Sequence, residues 1–385
     1  MSSIPSETFA KVVGNIGGYD VSVSGNYAAV GDINYKPTTG NDYKQSNGTY
    51  YSSVGRVTIF KTTDNGASWN EIQTIIPLES DTGNGSPYFG NCVLMKGDKL
   101  FIGAFRQDKG GAVYCYTRSG DTWTNKRKIQ PYYTSSNNGM MFGGKIAYDE
   151  SNGNLAISAT GFNSSKGKVW IYTYNASQGY STNQQLTLGS AINNASFGDS
   201  LAMDGGYLVI GQPNDTGPTN SPNTRYGSVF VYLFVSGRDY SPSTSSLIML
   251  QPSNPEAVGG TTSLIRMKNR YGVSVAIKNG VIAVGASRMV ASDNQKMGRV
   301  YIYKGSNPNG RGGGFTTWTE TKIIVPPDGN SFFGTDVGLS GNTLLVACPK
   351  VNKLPNEGFH RGGAYVYKTS DNGTTWTTIK RLTAG

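Results

Sequence analysis

Phe89-Gly90-Asn91-Cys92-Val93-Leu94-Met95 leads through a Lys-Gly-Asp turn into Leu100-Phe101-Ile102-Gly103-Ala104-Phe105, and then into Gly111-Ala112-Val113-Tyr114-Cys115-Tyr116-Thr117. The pattern is an aromatic-Gly start, an alternating strand, a turn, an apolar strand ending in Gly-Ala-like residues, and a third strand that opens on glycine. It returns at Phe142–Tyr148, Phe197–Met203, Tyr271–Ile277 and Phe333–Leu339. A weaker first copy, Gly17-Gly18-Tyr19-Asp20-Val21-Ser22-Val23, lacks the aromatic. Second strands fall at 27–32, 100–105, 155–160, 208–213, 282–287 and 344–349. A fourth strand begins near tryptophan in several copies, as at Trp69–Pro77, Trp123–Pro131, Trp318–Pro326 and Trp376–Leu382.

Four antiparallel strands repeating every roughly 50 to 75 residues suit a propeller blade, which cannot bury both faces alone. The expected fold is an all-β β-propeller of six four-stranded antiparallel blades, with seven as the alternative. Blades start near 17, 89, 142, 197, 271 and 333, and 17–385 forms a single domain. Residues 1–16 carry a closure strand at Thr8–Val13. Along the third strands Val57, Ile59, Val113, Cys115, Val169 and Ile171 share one face and the aromatics the other. Burial of both faces explains why both are apolar.

The Phe-Gly opening and Gly-Ala-Pro-like second-strand end resemble the FG-GAP repeat of the integrin α-chain propeller, over essentially all of 17–385. The resemblance implies a surface interaction module; similar propellers occur among fungal lectins. It departs in blade number, since the integrin propeller has seven. A second signature, Thr62-Thr63-Asp64-Asn65-Gly66-Ala67-Ser68-Trp69 and Thr369-Ser370-Asp371-Asn372-Gly373-Thr374-Thr375-Trp376, is similar to the Asp-box of sialidase-type propellers. Its aspartate bonds turn amides and its glycine supplies a positive φ, so the box is a hairpin device. Arg118–Trp123 is a shortened echo.

Composition fits this reading. Glycine numbers 52 of 385 residues, close to twice the usual share of about 7%. The 24 Tyr, 14 Phe and 5 Trp belong to a chain that packs. No apolar run is long enough to span a membrane as a helix, and the N-terminus lacks the pattern of a secretory signal. Cys92, Cys115 and Cys348 lie in apolar strands and read as small buried hydrophobes. The net charge of +10 suits anionic partners or lysine-guarded strand edges, the latter favoured for Lys126-Arg127-Lys128 and Lys380-Arg381.

Catalytic chemistry is not nominated. His360 stands alone, and one His with three scattered Cys supplies no zinc site. No EF-hand sequence occurs; Asp149-Glu150-Ser151-Asn152-Gly153-Asn154 reads as a turn. Gly161–Lys168 fails the phosphate-loop spacing. The N-x-Ser/Thr triplets are expected from composition. No enzyme, cofactor or metal is expected.

Binding is expected on the face carrying the long loops between second and third strands. Bases exceed acids there, interleaved with aromatics: Tyr35, Lys36, Tyr43, Lys44, Arg106, Lys109, Lys166, Arg225, Tyr226, Arg288, Lys296, Lys350, Lys353, Phe359 and Arg361. The expected function is a non-catalytic interaction or adhesion module of a virion or cell surface. It would use this face for a protein or glycan, without nucleic acid or membrane insertion, as a component of a larger assembly. A propeller lectin and a sialidase-like glycosidase are the alternatives.

Overall fold

The computed structural model describes residues 18–37, 53–77, 86–131, 139–175, 177, 179–188, 193–215, 226–235, 239–242, 247–253, 269–288, 298–307, 314–327, 332–349 and 362–383. The proposed closure strand lies outside them. Two compact units are present: Met1–Tyr148 with Leu155–Ser181, and Asp149–Asn154 with Thr182–Gly385. The fold is all-β, six four-stranded antiparallel blades of a β-propeller.

The first blade runs in the order β1 (Asp20–Ser24), β2 (Tyr27–Asp32), β3 (Arg56–Lys61), β4 (Asn70–Ile75). The second is β5 (Val93–Lys96), β6 (Lys99–Ala104), β7 (Ala112–Ser119), β8 (Thr122–Ile129). The third is β9 (Phe142–Asp149), β10 (Asn154–Ala159), β11 (Lys168–Asn175), β12 (Gly179–Leu186). In the fourth, β13 (Ser200–Asp204), β14 (Tyr207–Gln212) and β15 (Ser228–Val235) precede a last strand split into β16 (Asp239–Pro242) and β17 (Ile248–Leu250), both paired with β15. The fifth is β18 (Tyr271–Lys278), β19 (Val281–Ala286), β20 (Arg299–Ser306), β21 (Thr317–Ile324). The sixth is β22 (Val337–Ser340), β23 (Thr343–Cys348), β24 (Gly363–Lys368), β25 (Thr377–Thr383). Helical geometry among the described residues is confined to single turns at Gln107–Lys109 and Phe162–Ser165.

Within each unit the aromatic-Gly dipeptide of one blade seats on two glycines of the blade before it. A Cβ on Gly31 would meet the Gly90 carbonyl oxygen at 2.0 Å, and one on Gly55 the Phe89 oxygen at 2.0 Å. The same pairs recur as Gly103 with Gly143 and Gly111 with Phe142, and in the second unit as Gly211 with Gly272 and Gly227 with Tyr271. Glycine is therefore needed at both places for backbone to approach backbone, and Gly55 also holds a positive φ of 85°.

Third strands supply the packing. Val57 and Ile59 cluster with Tyr114 and Tyr116 of the next blade, and Val113 and Cys115 with Trp170 and Tyr172. The second unit repeats this with Val229 and Val231 against Tyr301 and Tyr303, then Val300 and Ile302 against Tyr365 and Tyr367. The opening aromatics stand edge-on to these rings, with Phe89–Tyr114, Phe142–Trp170 and Tyr271–Tyr301 centroids all 5.4 Å apart. Burying one such side chain stabilises by about 1.5–3 kcal/mol, and edge-on pairing adds to it.

Both Asp-boxes are hairpin devices. Asp64 accepts the Ser68 amide at 2.8 Å and the Thr62 hydroxyl at 2.8 Å, while Thr62 Oγ1 accepts the Gly66 amide at 2.8 Å. Asp371 repeats this with Thr375 and Thr369. The echo at Arg118–Trp123 behaves otherwise: Gly120 and Asp121 form a tight turn between β7 and β8. Asp121 reaches the first blade instead, accepting Tyr27 Oη at 2.6 Å and Lys61 Nζ at 2.8 Å. Without the intervening residues of a full box, its carboxylate cannot fold back onto the turn amides.

Candidate active site

The first strands of neighbouring blades are held together by side chains reaching backbone. Along β1 the alternate residues Asp20, Ser22 and Ser24 accept the amides of Val93 (2.8 Å), Met95 (2.9 Å) and Gly97 (3.0 Å). Strand alternation sends all three to one side, and β5 supplies its unpaired edge amides.

At the start of these strands three chemically active side chains of the first unit converge. Asp20 is half-buried and also accepts the Val21 amide and the Cys92 thiol, with the Lys145 ammonium nearby. Burial pushes its carboxyl above the ordinary value of 3.8, against the opposing pull of Lys145, the two amides and the thiol. Cys92 is 5% exposed. Burial first and the Asp20 charge second push its thiol up to about 12. Cys92 thus keeps its proton and donates a hydrogen bond to Asp20 rather than acting as a thiolate nucleophile. Lys145 is exposed on β9, whose backbone is tied to β10 by the Lys145 amide donating to Ser158 Oγ at 3.0 Å.

Asp20, Cys92 and Lys145 occupy one position of the repeat, two residues after the glycine of the opening dipeptide. In the second unit that position holds Ser200, Ser274 and Asp336. There the hydroxyls are spent on the next blade, Ser200 Oγ donating to the Gly272 oxygen at 2.8 Å and Ser274 Oγ to the Gly334 oxygen at 3.0 Å. In the second blade Asn91, one residue earlier, does that work by donating to the Gly143 oxygen at 3.1 Å. This leaves Cys92 to face Asp20.

The residues expected to bind are distributed differently. Tyr43, Lys44, Arg225, Lys296, Lys350, Lys353, Phe359 and Arg361 lie outside the described residues, as does the Lys109 side chain. Tyr35 lies under Arg56, with Cζ 4.5 Å from the ring centroid. Lys36 is exposed. Arg106 lies over the Tyr88 ring at 4.8 Å, Lys166 closes the turn at Asn163, and Arg288 approaches Phe332 at 6.0 Å. The Tyr226 oxygen receives the Tyr271 amide at 3.0 Å. Lys36, Arg106 and Lys166 follow second strands, so they emerge at the same end of their blades as Asp20, Cys92 and Lys145.

Asp149 is consumed by its turn, accepting the Ser151 amide and hydroxyl and the Gly206 amide. All three cysteines are buried, and none of them is in a disulfide among the described residues. Among the described residues no three His, Cys, Asp or Glu side chains are placed to share a metal ion, and no helix is long and apolar enough to cross a membrane.

The chain matches no protein-family model and no curated protein. It is similar in structure to a periplasmic gluconolactonase from Pseudomonas aeruginosa, with TM-score 0.55 and 10% identity over 95% of this chain and 85% of that one. A candidate 6-phosphogluconolactonase from Bacteroides uniformis gives 0.54 at 9% identity over 95% and 85%. One from Bacteroides fragilis gives 0.51 at 11% over 95% and 84%. At these identities the likeness establishes the propeller fold. The integrin-type resemblance is corrected to that extent, because these neighbours carry the names of lactonases. The expectation of a non-catalytic adhesion module of a virion or surface, with its lectin and sialidase alternatives, is overturned by the same neighbours, as is the reading that no enzyme is indicated. The trio above was not assembled from the sequence, because its members are far apart along the chain.

Proposed function

We propose that the chain is a propeller hydrolase that opens a small cyclic ester of the sugar-lactone kind at Asp20 and Lys145. The observation that carries this reading is a half-buried carboxyl on the first blade, its pKa raised, within electrostatic reach of an exposed ammonium at the same end of the third. The lactonase names of the structural neighbours support it. A carboxylate whose pKa rises toward the working pH is a better general base. Asp20 takes a proton from water as the water oxygen bonds to the lactone carbonyl carbon. Lys145 stabilises the oxyanion that forms. The ring C–O bond then breaks, and the departing alkoxide recovers the proton from Asp20, yielding the open hydroxy acid. Lys36, Arg106 and Lys166 would form a positive rim drawing an acidic substrate.

The test is base consumption during hydrolysis of δ-gluconolactone, measured over the spontaneous rate. The wild-type chain is expected to accelerate hydrolysis, and Asp20→Asn to lower kcat about a hundredfold. A rate equal to that of buffer alone removes the proposal.

A further inference from the structure

Lys126 and Arg127 stand on an outermost strand, where lysine usually guards an open edge. The structure gives them a second setting. The β7–β8 ladder is bulged between Cys115 and Thr117, so consecutive residues of β8 turn toward the same space. Lys126 and Arg127 line a cavity of about 610 Å³ together with Lys99, Thr117, Tyr174 and Tyr180. It lies where β7 and β11 run out and β6 and β12 begin, at the opposite end of the sheets from Asp20 and on their outer side.

The lining has a consistent chemistry. Lys99 pairs with Asp98 at 3.2 Å and stands 6.0 Å from the Tyr174 ring centroid. Lys126 lies 5.3 Å from the centroid of Tyr114. Arg127 has no carboxylate partner among the described residues. Its guanidinium passes over Gly179, where an added Cβ would meet Nη1 at 2.4 Å. The Tyr180 hydroxyl is buried with no hydrogen-bond partner among the described residues, and the half-exposed Tyr174 ring offers a flat wall. Lys99, Lys126 and Arg127 thus bring three cations to one cavity, with Lys99 paired to Asp98.

We propose that this cavity binds a small anionic molecule, with a phosphate or carboxylate held by Arg127 and Lys126 and its carbon frame laid against Tyr174. Guanidinium forks match both oxyanions, and the idle Tyr180 hydroxyl supplies a further donor. The volume falls within the range of small-molecule sites. Binding here does not depend on the lactonase reading, because Asp20 lies on the opposite strand edge.

The test is calorimetric titration of the full chain with glucose 6-phosphate, inorganic phosphate, gluconate and uncharged glucose. Saturable binding of at least one anion at millimolar concentration or below is expected, with glucose silent. Preference for glucose 6-phosphate assigns the phosphate as the recognised group, and preference for gluconate the carboxylate. Arg127→Gln and Lys126→Gln each weaken binding about tenfold, Lys126→Arg retains it, and Lys322→Gln on β21 leaves it unchanged. Thermal melts show that the variants fold, and hydrolysis of δ-gluconolactone by Arg127→Gln stays at the wild-type level. The proposal fails if no anion binds, or if both charge-removing variants bind as the wild type does.

Discussion

The Gly90 carbonyl oxygen lies 2.0 Å from where a Cβ on Gly31 would stand. Two backbones from adjacent blades therefore meet at a place that no other residue can occupy without moving one blade. Gly31→Ala should destabilise the chain by about 1–3 kcal/mol, the cost of overpacking a tight contact. Gly338→Ala is the control, since its Cβ would meet nothing within 4 Å; it should change stability by less than about 0.5 kcal/mol. Urea unfolding of the two variants makes the comparison, and equal midpoints would show that the blade contact can relax.

Ser200 tests the same joint from its polar side. Its hydroxyl is buried and bonded to the Gly272 oxygen at 2.8 Å. Ser200→Ala leaves that carbonyl without this donor and should cost about 1–3 kcal/mol. Chemical denaturation should record the loss without a change in the slope of the transition.

Asp20 should impose a pH dependence on stability. Its folded carboxyl titrates above 3.8, so the folded state holds the proton more tightly than the unfolded chain. The resulting stabilisation is full below 3.8 and is lost as pH rises through the folded-state pKa. Asp20→Asn should abolish that decline and leave the variant relatively more stable at neutral pH. Denaturant midpoints across the acidic-to-neutral range measure this, and lactone hydrolysis should show its rising limb above 3.8 in the wild type.

The Asp-box carboxylate should do the opposite. Hydrogen bonds from the Ser68 hydroxyl and amide and from Thr62 hold Asp64 down to about 2. Its stabilisation is present above 3.8 and fades as pH falls toward about 2. Asp64→Asn should therefore melt below wild type at neutral pH, with the gap closing in acid; a gap independent of pH would mean that charge is irrelevant to the hairpin.

Cys92 should be inert in the folded chain. It is buried, and its thiol is pushed up to about 12, so iodoacetamide should modify it only after unfolding. Cys92→Ser should retain lactone hydrolysis that Asp20→Asn loses. Comparable losses in the two variants would give the thiol a direct part in the chemistry.

Sequence alone determined the blade. The opening dipeptides, the second-strand glycines and the glycine-led third strands are visible in one chain because each answers a local demand: a close backbone approach, a positive φ, or a face needing cover. The split last strand at β16 and β17 was not legible, since Asp239–Pro242 and Ile248–Leu250 are too short to announce a strand. Nor was the candidate site, although its three members stand at one repeat position. Asp20 belongs to the copy without the aromatic, Cys92 reads as a small hydrophobe, and Lys145 reads as a surface charge. Each is unremarkable by itself. Tertiary structure decides their chemistry, because only the stacking of blades sets a carboxyl, a thiol and an ammonium together and removes enough water from the carboxyl to raise its pKa.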